Sequence, residues 1–210
     1  MLLAFTPVDA AETVPRAVSA ALLSAGVLLV RPELGAVPFV PLPAVSAQFV
    51  RGLSERVDLR LRYDSVGLMS HRLGAGLRVR LWRAHGWSIG VGVEASAQQF
   101  VVPYQDAYLG GDLATQPTAL VTHRWSSAAL TLAVGPTIQW MVVGQSGGQT
   151  RADLRPHLAY LDVGARLEWS RGPGRTMVLG LDLCVPLDPD DPLGLLGVLP
   201  RVTLGWTWSR

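Results

Sequence analysis

Four histidines, a single cysteine and a few clusters of acids are the residues of this 210-residue chain whose types could do chemistry. A serine activated by a histidine would hydrolyse an acyl bond. His71 has Ser70 beside it, but neighbours in a strand point to opposite faces. His157 has no Ser or Thr two positions away. Asp106, Asp112 and Asp153 could join His157 in acid–histidine peptide cleavage if the fold gathered them. His85 reads as a solvated turn residue, and His123, beside Trp125, as a packing residue. Asp188, Asp190 and Asp191 offer oxygen ligands for Ca²⁺, yet they alternate with prolines and lack an EF-hand spacing. Gly144-Gln145-Ser146-Gly147-Gly148 lacks the Gly-Lys-Ser/Thr ending of a phosphate loop. Cys184 stands alone, so the chain forms no internal disulfide. No catalytic residue, metal ligand or cofactor is assigned on this basis.

The elements that must position these residues are strands. Period-two alternation marks Val57–Asp64, Leu73–Trp82, Trp87–Gln98, Leu158–Trp169 and Arg201–Ser209 most clearly. In Leu73–Trp82, Leu73, Ala75, Leu77, Val79 and Leu81 share one face; Gly74, Gly76, Arg78 and Arg80 share the other. Weaker alternation marks Pro43–Val50, Thr118–Trp125, Ala128–Val143 and Thr176–Val185. Arg16–Val30 is apolar on both faces and reads as a first strand, a helix or a signal remnant.

Composition narrows the class. Hydrophobic residues make up 49% of the chain and charged residues only 16%. The charged share is below the usual quarter or so. No run reaches the ~18 apolar residues of a membrane helix. The net charge is +2, and all 18 basic residues are arginine, spread along the strands and interleaved with acids. That distribution argues against a nucleic-acid surface.

Connections alternate in length. Arg31–Leu42, Ser65–Arg72, Gln99–Pro117, Gly144–Pro156 and Pro186–Pro200 are long. Arg51–Arg56, Arg83–Gly86, Ser126–Ser127 and Ser170–Arg175 are short. Trp82, Trp87, Trp125, Trp169, Trp206 and Trp208 cluster at the short-turn ends, as an aromatic girdle at a bilayer interface would; Trp140 belongs to the opposite end. The expected fold is all-β: a closed up-and-down antiparallel transmembrane β-barrel of ten strands, with eight as the alternative. Residues 16–210 would form the barrel and residues 1–15 a periplasmic tail or leader remnant.

Two segments carry a family resemblance. Gly52-Leu53-Ser54-Glu55-Arg56-Val57-Asp58-Leu59 resembles the tight turns of small bacterial outer-membrane β-barrel proteins. Thr203-Leu204-Gly205-Trp206-Thr207-Trp208 resembles their terminal-strand signal, though the chain ends in Ser209-Arg210 instead of an aromatic residue. The resemblance implies location in the bacterial outer membrane, contact with its lipid bilayer, and engagement of the barrel assembly machinery during biogenesis.

If the apolar face meets lipid, the polar face lines a lumen. Its charged members are Asp58, Arg60, Arg62, Asp64, Arg78, Arg80, Glu94, Asp162, Arg166, Glu168 and Asp182. Near-balanced charge in a narrow interior should pair, because an unpaired buried charge costs several kcal/mol. The expected function is structural, or accessory to adhesion or transport, with a side-chain-filled lumen and external recognition loops. Phe100, Tyr104 and Tyr108 are the candidate loop contacts. Three alternatives stay open: a narrow channel for ions or small solutes, a lipid hydrolase or protease at the outer rim, and a soluble lipocalin-like binder with the faces inverted.

Overall fold

The computed structural model describes residues 19–30, 40–67, 70–102, 108–146, 149–172, 175–187 and 199–209. They form eleven strands: β1 (Ser19–Val30), β2 (Val40–Gly52), β3 (Val57–Val66), β4 (Ser70–Ala84), β5 (Trp87–Val102), β6 (Tyr108–Arg124), β7 (Ala128–Ser146), β8 (Gln149–Asp153), β9 (His157–Gly172), β10 (Arg175–Pro186) and β11 (Leu199–Ser209). All pairings among them are antiparallel. β1 pairs with β11, and β6 with β7, so ten strands close a ring. The eleventh, β8, pairs with the far end of β7 and stands outside the ring. The all-β, ten-stranded closed barrel expected from alternation is therefore the fold.

Alternation sorts the side chains. On β3, Asp58, Arg60 and Asp64 are buried, while Leu61 and Tyr63 are exposed. The exposed large side chains include Leu23, Leu73, Leu77, Ile89, Val93, Leu132 and Leu181, all from the apolar face of their strands. The polar lumen is thus the packed side of the sheet, and the apolar face is the outer surface.

The tight turns have local causes. His85 (φ 51°) and Gly86 (φ 82°) both take left-handed backbone. That is the two-residue geometry whose twist matches a β-hairpin. In the β2–β3 turn, Ser54 Oγ accepts from the backbone N–H of Arg56 (3.2 Å) and Val57 (3.1 Å).

The structure differs from the sequence reading mainly at the end opposite these turns. The expected long loop Gln99–Pro117 is largely strand, since β5 runs to Val102 and β6 begins at Tyr108. Part of the expected loop Gly144–Pro156 is the β7–β8 hairpin. Along the extended β5 and β6 burial still alternates, with Phe100, Asp112 and Ala114 inside and Val101, Leu109 and Leu113 outside, but the inward positions are no longer uniformly polar; every residue of β8 is exposed, so residue type marks no face of it. Ser19–Val30 is a strand, not a helix. The expected N-terminal tail, residues 1–15, lies outside the described residues.

Candidate functional site

The lumen is where charged groups converge. Three groups of side chains lie in it among the described residues. Nearest the tight turns, Asp58 accepts from Arg60 Nε at 3.1 Å, and both side chains are almost wholly buried (0% and 4% exposed). Glu168 enters from β9 and is completely buried. It lies within electrostatic reach of Arg166, Arg124, Arg60 and Arg78, which come from β9, β6, β3 and β4. These interactions cross the barrel and do not merely run along one strand.

The second group spans β3, β10 and β11. Arg62 grips Asp64 with two nitrogens, Nε at 2.7 Å and Nη2 at 3.2 Å. This paired geometry suits a guanidinium to a carboxylate. Arg201 donates to Asp182 Oδ2 from Nη2 (2.9 Å) and Nε (3.2 Å), and its Nη1 reaches Asp64 Oδ1 at 3.6 Å. Arg201 therefore ties β10 to β3 across β1 and β2. Glu94 sits against Arg72 at 3.7 Å. The third group is neutral around single acids. Asp162 Oδ2 accepts from Gln116 Nε2 (2.6 Å) and Thr137 Oγ1 (2.8 Å), and Asp112 accepts from Gln139 Nε2 (3.2 Å).

Glycines make room for the long side chains. A Cβ at Gly92 would meet Arg78 Cγ at 3.0 Å, and one at Gly74 would meet Glu94 Oε1 at 2.6 Å.

Ten of the eleven lumen candidates from the sequence enter these groups. Arg80 goes elsewhere: its Nη2 donates to the Glu55 carbonyl in the β2–β3 turn at 2.6 Å. Sequence reasoning missed Arg72, Arg124 and Arg201 as lumen residues, and Asp112 was placed at the rim. Each lies two residues beyond a recognised inward position or within an extended strand, so continuing the parity would have found them.

The outer surface carries two aromatic zones. At the turn end, the His123 ring packs between Trp87 (centroids 4.3 Å apart) and Trp125 (4.7 Å, edge-on). Trp82, Trp206 and Trp208 are also exposed on that side, Trp169 is half-buried, and Arg171 lies over its ring at 5.9 Å. Parity alone would turn Trp82 into the lumen. A bulge between Arg80 and Trp82 turns it outward. Towards the other end, Tyr63 Oη and His71 Nδ1 share a 2.9 Å hydrogen bond, and Trp140 Nε1 donates to Thr115 Oγ1 at 2.8 Å.

The loop contacts fare differently. Phe100 is a buried residue on the inward face of β5, not a loop side chain. It is inward because β5 extends past the expected strand end with its parity intact. Tyr108 opens β6, and Tyr104 lies outside the described residues.

Reactive constellations are not assembled among the described residues. His71 is bonded to Tyr63 on the outer face, His157 contacts the Arg155 carbonyl at 3.2 Å, and Asp112 is buried against Gln139. No group of three metal-ligating side chains occurs among the described residues. Asp106, Asp188, Asp190 and Asp191 lie outside them.

No protein-family model and no curated protein matches the chain. Solved structures do. The outer membrane protease OmpT from Escherichia coli aligns over 96% of this chain and 100% of its own, with 7% identity and a TM-score of 0.54. An outer membrane channel from Pseudomonas putida F1 aligns over 98% and 100%, with 10% identity and a TM-score of 0.51. The attachment invasion locus protein of Yersinia pestis, Ail, aligns over 93% and 99% at 11% identity, with a TM-score of 0.43. What is shared at these identities is the fold, that of outer-membrane β-barrel proteins.

Proposed function

We propose that this chain is a closed barrel of the bacterial outer membrane whose lumen is plugged by its own side chains. Any recognition falls to the strand extensions and connections at the end opposite the tryptophan zone, in adhesion or as an accessory to transport. The observation that carries this reading is the Arg201 bridge, which joins Asp182 on β10 to Asp64 on β3 across the lumen. Arg60, Arg78, Arg124, Arg166 and Glu168 extend the obstruction towards the turn end. A ten-stranded barrel is only modestly wider than eight-stranded barrels, whose interiors side chains can fill. The apolar outer face and its aromatic zones support contact with the lipid bilayer.

The shared fold with a channel and a protease leaves two rivals. The protease reading finds no support in the positions of His71, His157 and Asp112. The channel reading has one observation in its favour. Asp58 Oδ2, Ser96 Oγ and both Glu168 carboxylate oxygens are buried without a protein hydrogen-bond partner. Such groups are commonly satisfied by ordered water, so a thin hydrated path is the second reading.

Ion flux separates them. Vesicles loaded with potassium chloride and carrying the folded protein, with a protonophore to balance charge, should hold their potassium as protein-free vesicles do. Potassium release well above that of protein-free vesicles would support the channel.

A further inference from the structure

Lumen charge nearly balances as a whole, but not end by end. Towards the outer end, Asp112 and Asp162 are met by the neutral donors Gln139, Gln116 and Thr137. Towards the tight turns, Arg60, Arg78, Arg124 and Arg166 gather around two acids, Asp58 and Glu168. Glu94 also reaches Arg60 and Arg78, but Arg72 brings it a cation of its own. Each of the four arginines has interactions within the protein. What this end holds in excess, among the described residues, is therefore positive charge and not unmet contacts. Buried charge in excess is costly until a counter-ion offsets it.

A small hollow of about 20 Å³ lies at the same end, lined by Arg83, Gly86, Trp87, Ser88, Thr122 and Arg124. No acid lines it among the described residues. The register builds it. Arg83 pairs with Ser88, and Ser88 with Thr122, so the three form one row across β4, β5 and β6 on the lumen face. Arg124 is the next inward residue of β6. Ser88 and Thr122 are buried, and Thr122 Oγ1 is held by a 2.9 Å hydrogen bond with Thr131 Oγ1. The Arg124 backbone N–H donates to the Gly86 carbonyl at 2.8 Å, which ties the hairpin turn to β6 and fixes the strands that carry both arginines. Arg124 joins the two features, since it lines the hollow and lies within electrostatic reach of Glu168.

We propose that this hollow binds one small inorganic anion of halide size, with chloride as the natural occupant. Arg83 and Arg124 supply the charge, and the Ser88 and Thr122 hydroxyls supply further donors. The volume suits a single solvent-sized particle, so a one-atom anion fits where a tetrahedral oxyanion is crowded. The anion offsets the arginine excess without meeting a carboxylate in the hollow. The site is compatible with a plugged or a hydrated lumen, so its test is independent of potassium release.

The test is the linewidth of the chloride NMR signal with the full chain folded in dodecyl maltoside micelles. A heat-modifiable band confirms the fold of each variant. The folded protein should broaden the signal beyond its heat-unfolded form. Bromide should reverse the broadening at concentrations close to those of chloride, and sulfate at equal ionic strength should do so poorly. Chloride affinity should fall roughly tenfold in Arg83→Gln and in Arg124→Gln, because each removes a charge-assisted hydrogen bond. Arg83 is exposed, so its variant keeps the test open if Arg124→Gln does not fold. Ser88→Ala, with no change of charge, should cost roughly threefold. Arg171→Gln/Arg175→Gln removes two charges from the outer side of the same end and should leave the affinity unchanged. Three results would overturn the proposal: no broadening beyond the unfolded form, an equal loss in the Arg171/Arg175 variant, or sulfate displacing chloride better than bromide does. The last two are what diffuse attraction to a basic rim would give.

Discussion

Replacing Asp58 by asparagine probes a fully buried carboxylate of the lumen. Asp58 is 0% exposed, and Arg60 Nε donates to it at 3.1 Å. At an effective dielectric of about 20, two unit charges at that distance attract by about 5 kcal/mol. Removing one member of a buried pair typically costs about 3–5 kcal/mol, because the survivor stays desolvated without its partner. Here Arg60 keeps the more distant charges of Glu168 and Glu94, so the cost should fall near the lower limit. With a urea slope of about 2 kcal/mol per molar, a loss of about 3 kcal/mol moves the midpoint down by about 1.5 M. Tryptophan fluorescence and heat-modifiable gel migration, followed together through urea titration in vesicles, would measure it. Asp58→Asn/Arg60→Met removes the buried cation as well and should recover part of the loss. A shift below about 0.5 M for the single variant would refute the reasoning, since that is the cost expected of a solvated pair in a water-filled lumen.

Other perturbations probe other parts of the barrel. Leu77→Arg places a charge midway along the lipid-facing side of β4. It should destabilise the folded barrel by about 2–4 kcal/mol in vesicles, again read from the urea midpoint. Gly86→Ala forces a Cβ into left-handed backbone and to 2.8 Å from the Arg124 carbonyl oxygen. A cost of about 1–2 kcal/mol should follow, seen as a lowered midpoint with an unchanged circular dichroism spectrum. Arg201→Ala leaves Asp64 and Asp182 facing the lumen without their shared cation. That variant should conduct more than the wild type and prefer cations, which a reversal potential in a salt gradient would show.

Much of this fold was legible because a barrel wall makes side-chain parity decisive. One slip in register would send every arginine of a strand into lipid, so Arg60, Arg62, Arg78 and Arg166 announced their face directly. Parity failed where the wall does something local. The bulge after Arg80 could not be read from residue types, and it alone explains why Trp82 joins the outer aromatic zone while Arg80 reaches the Glu55 carbonyl. Strand length beyond the bilayer was also hidden. Phe100 looked like a loop contact because Gln99 puts a polar residue on the apolar face and Phe100 itself an apolar one on the polar face, yet it continues the inward row of Ser96 and Gln98. The partners within the lumen were the least legible. Arg201 meets Asp64 only because the ring closes through β1 and β11, a contact that no pattern along the chain encodes.

The central claim is that the barrel is closed by its own charges, and planar-bilayer recording of the folded wild-type protein tests it most directly. A plugged lumen predicts a baseline without steady conductance at moderate voltage, with openings appearing when Arg201 is replaced by alanine. A stable, large wild-type conductance, unchanged by that substitution, would contradict it.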